Sequence, residues 1–248
     1  MKLINPKVEI WQCGYTLSEI WSHIAKSARE CYQSEPRNNG ETDEEFVKRV
    51  ILRNHSFEEI AESRELQLKL HLSVLEHGTV YLTILKPYET GEKTYSSLFF
   101  SHNKFSTGVF RREDSAELIT TNMRVVIENG RIGDLQYLCP PTERHHLRTT
   151  FNIIIDIGVA SELARHRRDR RHSISEESTR FCNYSKDKFD NELTFIVPEW
   201  AETRCPNEEH DGPSHTDMYW ASACKEAESN YLRLLENGWT PQQARRVL

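Results

Sequence analysis

Between Arg165 and Ser185 the chain reads RHRRDRRHSISEESTRFCNYS. Arg165, Arg167, Arg168, Arg170 and Arg171 place five guanidinium groups within seven residues, and Ser178-Thr179-Arg180 follows with two hydroxyls beside a further guanidinium. Arginine presents a planar fork of donors that matches the oxygens of a phosphate, so the composition suits a phosphorylated ligand. Taken alone, such a run is more often a solvated basic face or a nucleic-acid patch. The net charge of −6 weighs against a chain that coats nucleic acid, because positive charge is then confined to a local site. Glu162 and Glu176 beside the run read, in isolation, as exposed carboxylates, and an isolated His77 reads as a satisfied core or helix-end histidine.

The elements that must carry these residues are legible from helix-start signals. Thr16 with Glu19, Thr42 with Glu45, Ser56 with Glu59, and Thr240 with Gln243 each have the spacing at which cap and third residue satisfy one another's backbone donors. The first opens a helix to about Cys31, with Ile20, Ile24, Ala25 and Ala28 on its core stripe. Glu65 to Glu76 reads as a helix that breaks at Gly78, and Thr79 to Leu85 as a strand rich in β-branched and aromatic residues, which puts His77 at the junction. FNIIIDI, from Phe151, reads as a second, mostly buried strand leading into a helix from Gly158 to Arg167, which delivers the arginine run to the end of an element. Between about 86 and 150 the signals are mixed: a polar stretch with Gly91 and Gly108, a helix near Ser115 to Ile127, and a turn at Asn129-Gly130. This region is expected to be an inserted elaboration or cover. Leu193 to Val197 is a short strand, the stretch to Ser214 a loop, and Thr216 to Glu236 a long helix ended by Asn237-Gly238.

At 248 residues the chain fits one domain with a core that needs neither disulfides nor metal, and its 37% hydrophobic and 28% charged composition is that of a folded globular protein. Cys13, Cys31, Cys139, Cys182, Cys205 and Cys224 include no C-x-x-C pair, which argues against structural zinc and against a secreted disulfide framework, and points to a reducing cytoplasm. The first residues lack an apolar signal core, and no run approaches the length that spans a bilayer, so no membrane partner is expected.

Three further strings stand around the arginine run: IAKSARECYQS (Ile24 to Ser34), HLSVLEHGTVYLTI (His71 to Ile84) and GVASELARHR (Gly158 to Arg167). Together with STRFCNYSKDKF, and in this order, they resemble the flavin-dependent thymidylate synthases over most of the chain outside 86–150. The resemblance implies an α+β fold, an antiparallel sheet flanked by helices with the insertion. It implies methylation of dUMP at carbon 5 to give dTMP, with methylenetetrahydrofolate as carbon donor and FAD, reduced by NADPH, as the source of hydride. It also implies a homotetramer with sites shared between subunits, no nucleic-acid partner, no metal and no protein nucleophile, so Cys182 reads as structural. By resemblance, His77, Thr79, Arg165, His166, Arg167 and Glu176 contact FAD. Glu162, Arg165, Glu177, Ser178, Arg180 and Arg245 serve the nucleotide, with Ser178 and Arg180 on its phosphate.

The family signature is Arg-His-Arg, seven residues, then Ser, with Arg two positions further. Here Ser178 lies seven residues beyond Arg168-Asp169-Arg170, whereas Arg165-His166-Arg167 is three residues too early. Both registers stay open. The earlier one fits the preceding Glu162-Leu163 and keeps a carboxylate away from phosphate, at the cost of a bulge, since three residues add about 300° of helix. The family also continues past the position matching Leu248, through a segment holding further flavin contacts and a pyrimidine-activating arginine. The resemblance therefore implies weak or no synthase activity for these 248 residues alone. Two alternatives are a homologue that binds nucleotide or nucleic acid without catalysis, and a methylase of another uracil nucleotide.

Overall fold

The computed structural model describes residues 1–37, 40–85, 95–113, 115–165, 172–199 and 215–248. In chain order its elements are β1 (Lys2–Ile4), β2 (Lys7–Trp11), α1 (Leu17–Tyr32), α2 (Asp43–Val50), α3 (Phe57–Glu62), α4 (Arg64–Lys69), β3 (Thr79–Leu85), α5 (Tyr95–His102), β4 (Thr107–Arg111), β5 (Ala116–Asn122), α6 (Met123–Glu128), β6 (Thr150–Ile154), α7 (Ile157–Arg165), β7 (Thr194–Ile196), α8 (His215–Glu236) and α9 (Pro241–Ala244). The chain is α+β, with antiparallel strands flanked by helices. It divides into a larger unit, Ile10–Thr150 with Arg167–Glu176, and a smaller one, Met1–Glu9, Phe151–His166 and Glu177–Leu248.

All four helix-start boxes form, at Thr16, Thr42, Ser56 and Thr240. At Thr16 the backbone N–H donates to Glu19 Oε2 at 2.9 Å and Glu19 N–H donates back to Thr16 Oγ1 at 3.3 Å. Each such cap stabilises its helix start by about 1 kcal/mol, a local contribution added to that of packing. The long helix ends as its sequence predicts, with Gly238 in the left-handed region at φ +85° just beyond Glu236.

The larger unit is built on a three-stranded antiparallel sheet in the order β3-β5-β4. Thr79 to Leu85 pairs residue for residue with Asn122 to Ala116, and Thr107 to Arg111 with Thr120 to Ala116. Ile20, Ile24 and Ala28 of α1 are fully buried against one core with Leu72, Leu75, Val80, Leu82, Ile84 and Ile119. Burying an Ile- or Leu-sized side chain stabilises by about 1.5–3 kcal/mol, so this core holds both α1 and β3 in place. Gly78, between His77 and β3, shows how close the approach is: a Cβ there would stand 2.4 Å from Ile24 Cδ1.

The 116–128 stretch differs from its sequence expectation of a single helix. Ala116–Asn122 is the central strand of the sheet with every residue buried, and the helix begins only at Met123. Ile119 and Thr120 are β-branched and paired on both edges, Thr121 pairs with Val80 of β3, and the Asn122 side chain accepts from Val125 N–H at 3.0 Å and starts α6. The expected helix from Glu65 to Glu76 is likewise interrupted. α4 ends at Lys69, Leu70 is extended, and Leu72–His77 is a 3-10 turn. Tyr32 Oη lies 2.6 Å from His71 Nδ1 at the break, and the buried Leu70, Leu72, Val74 and Leu75 do not follow a helical period.

The smaller unit has its own core of Cys182, Tyr184, Leu193, Tyr231 and Ala244, with Phe189, Phe195 and Leu235 against it. β1 runs parallel to β7, pairing Lys2 with Thr194 through Ile4 with Ile196. α8 is tied in by Glu228, whose Oε1 accepts the Leu193 N–H at 2.8 Å.

Candidate functional site

In the larger unit the 3-10 turn ends on Glu76-His77, and Thr79, the first residue of β3, is buried. His77 is half-buried, with Nε2 at 2.9 Å from Ser175 Oγ. Glu76 accepts from Ser173 Oγ at 2.6 Å through one carboxylate oxygen and from Arg124 Nη1 at 2.6 Å through the other. The chain preceding Glu176 is thus held beside His77. Burial holds the His77 imidazole below its usual range, with the Glu76 carboxylate acting partly against that. His23 of α1 is driven further, to about 4, first by burial and then by the charges of His77 and Lys26, and its Nε2 lies 3.0 Å from Thr150 Oγ1. Both rings are therefore neutral at pH 7, which lets a ring nitrogen accept as well as donate.

In the smaller unit Ser178 opens a tight turn: its carbonyl accepts from Phe181 N–H at 3.0 Å and Cys182 N–H at 2.8 Å. Cys182 and Tyr184 follow into the core and anchor the turn from below. Arg245 Nη1 donates to Thr179 Oγ1 at 3.1 Å, so the end of the chain meets the Ser178-Thr179-Arg180 turn. Tyr184 Oη donates to Glu177 Oε1 at 2.5 Å; burial, followed by the carboxylate's charge, raises the phenol's pKa and keeps it protonated. Ser178 is half-buried, while Arg180 and Arg245 are exposed. Glu162 and Arg165 lie on α7, which buries none of its residues and leaves Ile157, Val159 and Leu163 exposed.

The candidates therefore fall into groups. His77, Thr79 and Glu176 belong to the larger unit, with the 173–176 segment held at His77. Glu177, Ser178, Arg180 and Arg245 belong to the smaller unit, where the Thr179–Arg245 bond gathers the turn and the chain end. Glu162 and Arg165 share α7. His166 and Arg167, and the competing Arg168-Asp169-Arg170, lie outside the described residues. Sequence reading missed Glu76, Ser173, Ser175, Arg124 and Tyr184. Nothing local in the sequence connects Ser173 and Ser175 to positions 97 and 98 residues away. Among the described residues no group of three His, Cys, Asp or Glu side chains could hold a metal, and no helix is long and apolar enough to cross a membrane.

The smaller unit's turn presents guanidinium groups and hydroxyls, donors that suit a phosphate. In the larger unit a neutral histidine precedes the start of a strand. The family model described as thymidylate synthase complementing protein matches residues 113–248, which contain Glu162, Arg165, Glu176, Glu177, Ser178, Arg180 and Arg245. The chain belongs to that family, the flavin-dependent thymidylate synthases. No curated protein and no solved structure matches it.

Proposed function

We propose that the chain serves the methylation of dUMP at carbon 5 to give dTMP by binding the nucleotide and FAD, with NADPH and methylenetetrahydrofolate as co-substrates, in the cytoplasm. The observation that carries this reading is the Arg245–Thr179 hydrogen bond, which closes a basic turn of Ser178, Thr179 and Arg180 within the matched region. A turn with a half-buried hydroxyl and two exposed guanidinium groups fits a phosphate monoester, whose oxygens take forked donors. His77, Thr79 and Glu176 in the larger unit, with Arg165, His166 and Arg167, are the flavin contacts of this reading, and Glu162 and Arg165 sit beside the pyrimidine.

Bound flavin would supply the hydride, and the folate the carbon. The chain's own work is then to bind and orient. Ser178, Arg180 and Arg245 hold the phosphate, and Tyr184 steadies Glu177 beside them. Neutral His77 offers a ring nitrogen without adding charge. No side chain here needs to act as nucleophile, and Cys182 at 2% exposure packs in the core. Assembly with further copies is part of the reading: the exposed Ile157, Val159 and Leu163 on α7 support a partner surface beside Glu162 and Arg165.

The test is ligand binding by the purified chain. Saturable FAD binding together with selective dUMP binding supports the reading. Failure to bind FAD together with salt-dependent DNA affinity favours a binding protein without catalysis.

A further inference from the structure

The segment after the arginine run is held by two consecutive residues. Ser173 Oγ donates to Glu76 Oε2 at 2.6 Å, and Ser175 Oγ lies 2.9 Å from His77 Nε2. Two serines spaced by two residues, meeting a dipeptide, fix both the position of the segment and its roll about its own axis. Glu76 is itself held: its Oε1 accepts from Arg124 Nη1 at 2.6 Å, while Arg124 Nε reaches Glu128 Oε1 at 2.9 Å. Arg124 lies in the first turn of α6, inside the stretch the sequence sets apart as an elaboration. The start of that helix is fixed independently, by the Asn122 cap and by Met123 N–H donating to Gly78 O at 2.9 Å.

We propose that Arg124 is a positioning residue for the flavin site. By orienting Glu76 it fixes Ser173, and with the His77–Ser175 contact it sets where Glu176 lies. The inference rests on the reading of His77 and Glu176 as flavin contacts, and it gives the 86–150 stretch a role at the site. Arginine is the residue suited to the task, because separate nitrogens of one planar group reach two carboxylates at once. The body of α6 does not depend on it: Met123, Val125, Val126 and Ile127 are buried and hold the helix in the core.

The experiment compares the full chain with R124Q, R124K, S173A and the double variant R124Q/S173A. FAD affinity is read by flavin fluorescence, and amide hydrogen exchange is followed over residues 172–176. R124Q and S173A are each expected to weaken FAD binding about tenfold, on the scale of one lost charge-assisted hydrogen bond. The double variant should lose little more than either single one, because both cut the same connection. Exchange at 172–176 should accelerate while β3 and β5 stay protected, and R124K should recover part of the loss. Wild-type FAD affinity and unchanged exchange in R124Q would overturn the proposal. A wild-type chain that binds no FAD would remove the flavin reading instead. The exchange comparison alone would then decide whether Arg124 holds the segment: acceleration supports the clamp, and no change overturns it.

Discussion

Arg245 Nη1 lies 3.1 Å from Thr179 Oγ1, a contact between residues 66 positions apart. It brings the basic end of the chain to the turn that Ser178 begins. The turn is rigid from beneath, because Cys182 and Tyr184 are anchored among Leu193, Tyr231 and Ala244.

If this turn holds a phosphate, removing either exposed guanidinium should weaken dUMP binding more than deoxyuridine binding. R245A and R180A are each expected to raise the dUMP Kd by about ten- to a hundredfold, as hydrogen bonds to charged groups contribute roughly 1.5–3 kcal/mol. Deoxyuridine affinity should be unaltered. Calorimetric titration checks both ligands, and an equal loss for the two would show that the contact is not with phosphate.

Tyr184→Phe tests the support of Glu177. Its ring contacts with Phe189 and Tyr231 persist, while the donor to Glu177 is lost. Thermal stability should fall by about 0.5–1.5 kcal/mol, and dUMP affinity should fall with it, because the carboxylate at the start of the turn is no longer fixed. Unchanged dUMP binding would confine Tyr184 to the core.

The close approach at Gly78 predicts a specific pair. Gly78→Ala puts a methyl 2.4 Å from Ile24 Cδ1 and should destabilise by about 1–3 kcal/mol. Ile24→Val deletes that Cδ1, so the G78A/I24V double variant should lose less stability than the sum of the two single losses. Chemical denaturation of the four proteins measures the coupling. Simple additivity would place the conflict elsewhere.

Acid stability should depend on His23. Its folded-state pKa, about 4, is depressed by burial from an ordinary 6.5, so the unfolded chain binds the proton first as pH falls. Stability is therefore intact above about 6.5, declines through the window from 6.5 to 4, and levels off below it, a loss on the order of 3 kcal/mol. His23→Gln, which keeps a polar partner for Thr150, should flatten that decline. Urea midpoints measured from pH 7 to pH 4 provide the check, and parallel curves for the two proteins would assign the acid sensitivity to other groups.

What the sequence disclosed was local. Capping boxes act between residues three apart, so Thr16, Thr42, Ser56 and Thr240 could be read directly, as could β3 with its run of β-branched and aromatic residues. β5 was hidden because AELITTN has no strand alternation: all seven residues are buried on both faces, as a central strand requires. At the site, residue types pointed to phosphate before any geometry was known. The supports were invisible for a different reason. Glu76–Ser173 and His77–Ser175 join residues 97 and 98 positions apart, and a serine gives no sign in sequence of the carboxylate or imidazole it will meet.

The most direct measurement is a titration of the purified 248-residue chain with FAD, followed by visible absorbance and flavin fluorescence, before and after addition of dUMP. The account predicts a yellow protein that binds FAD saturably, with the flavin spectrum perturbed when dUMP is added and unmoved by DNA. A colourless protein that leaves FAD free and binds DNA with strong salt dependence would contradict it.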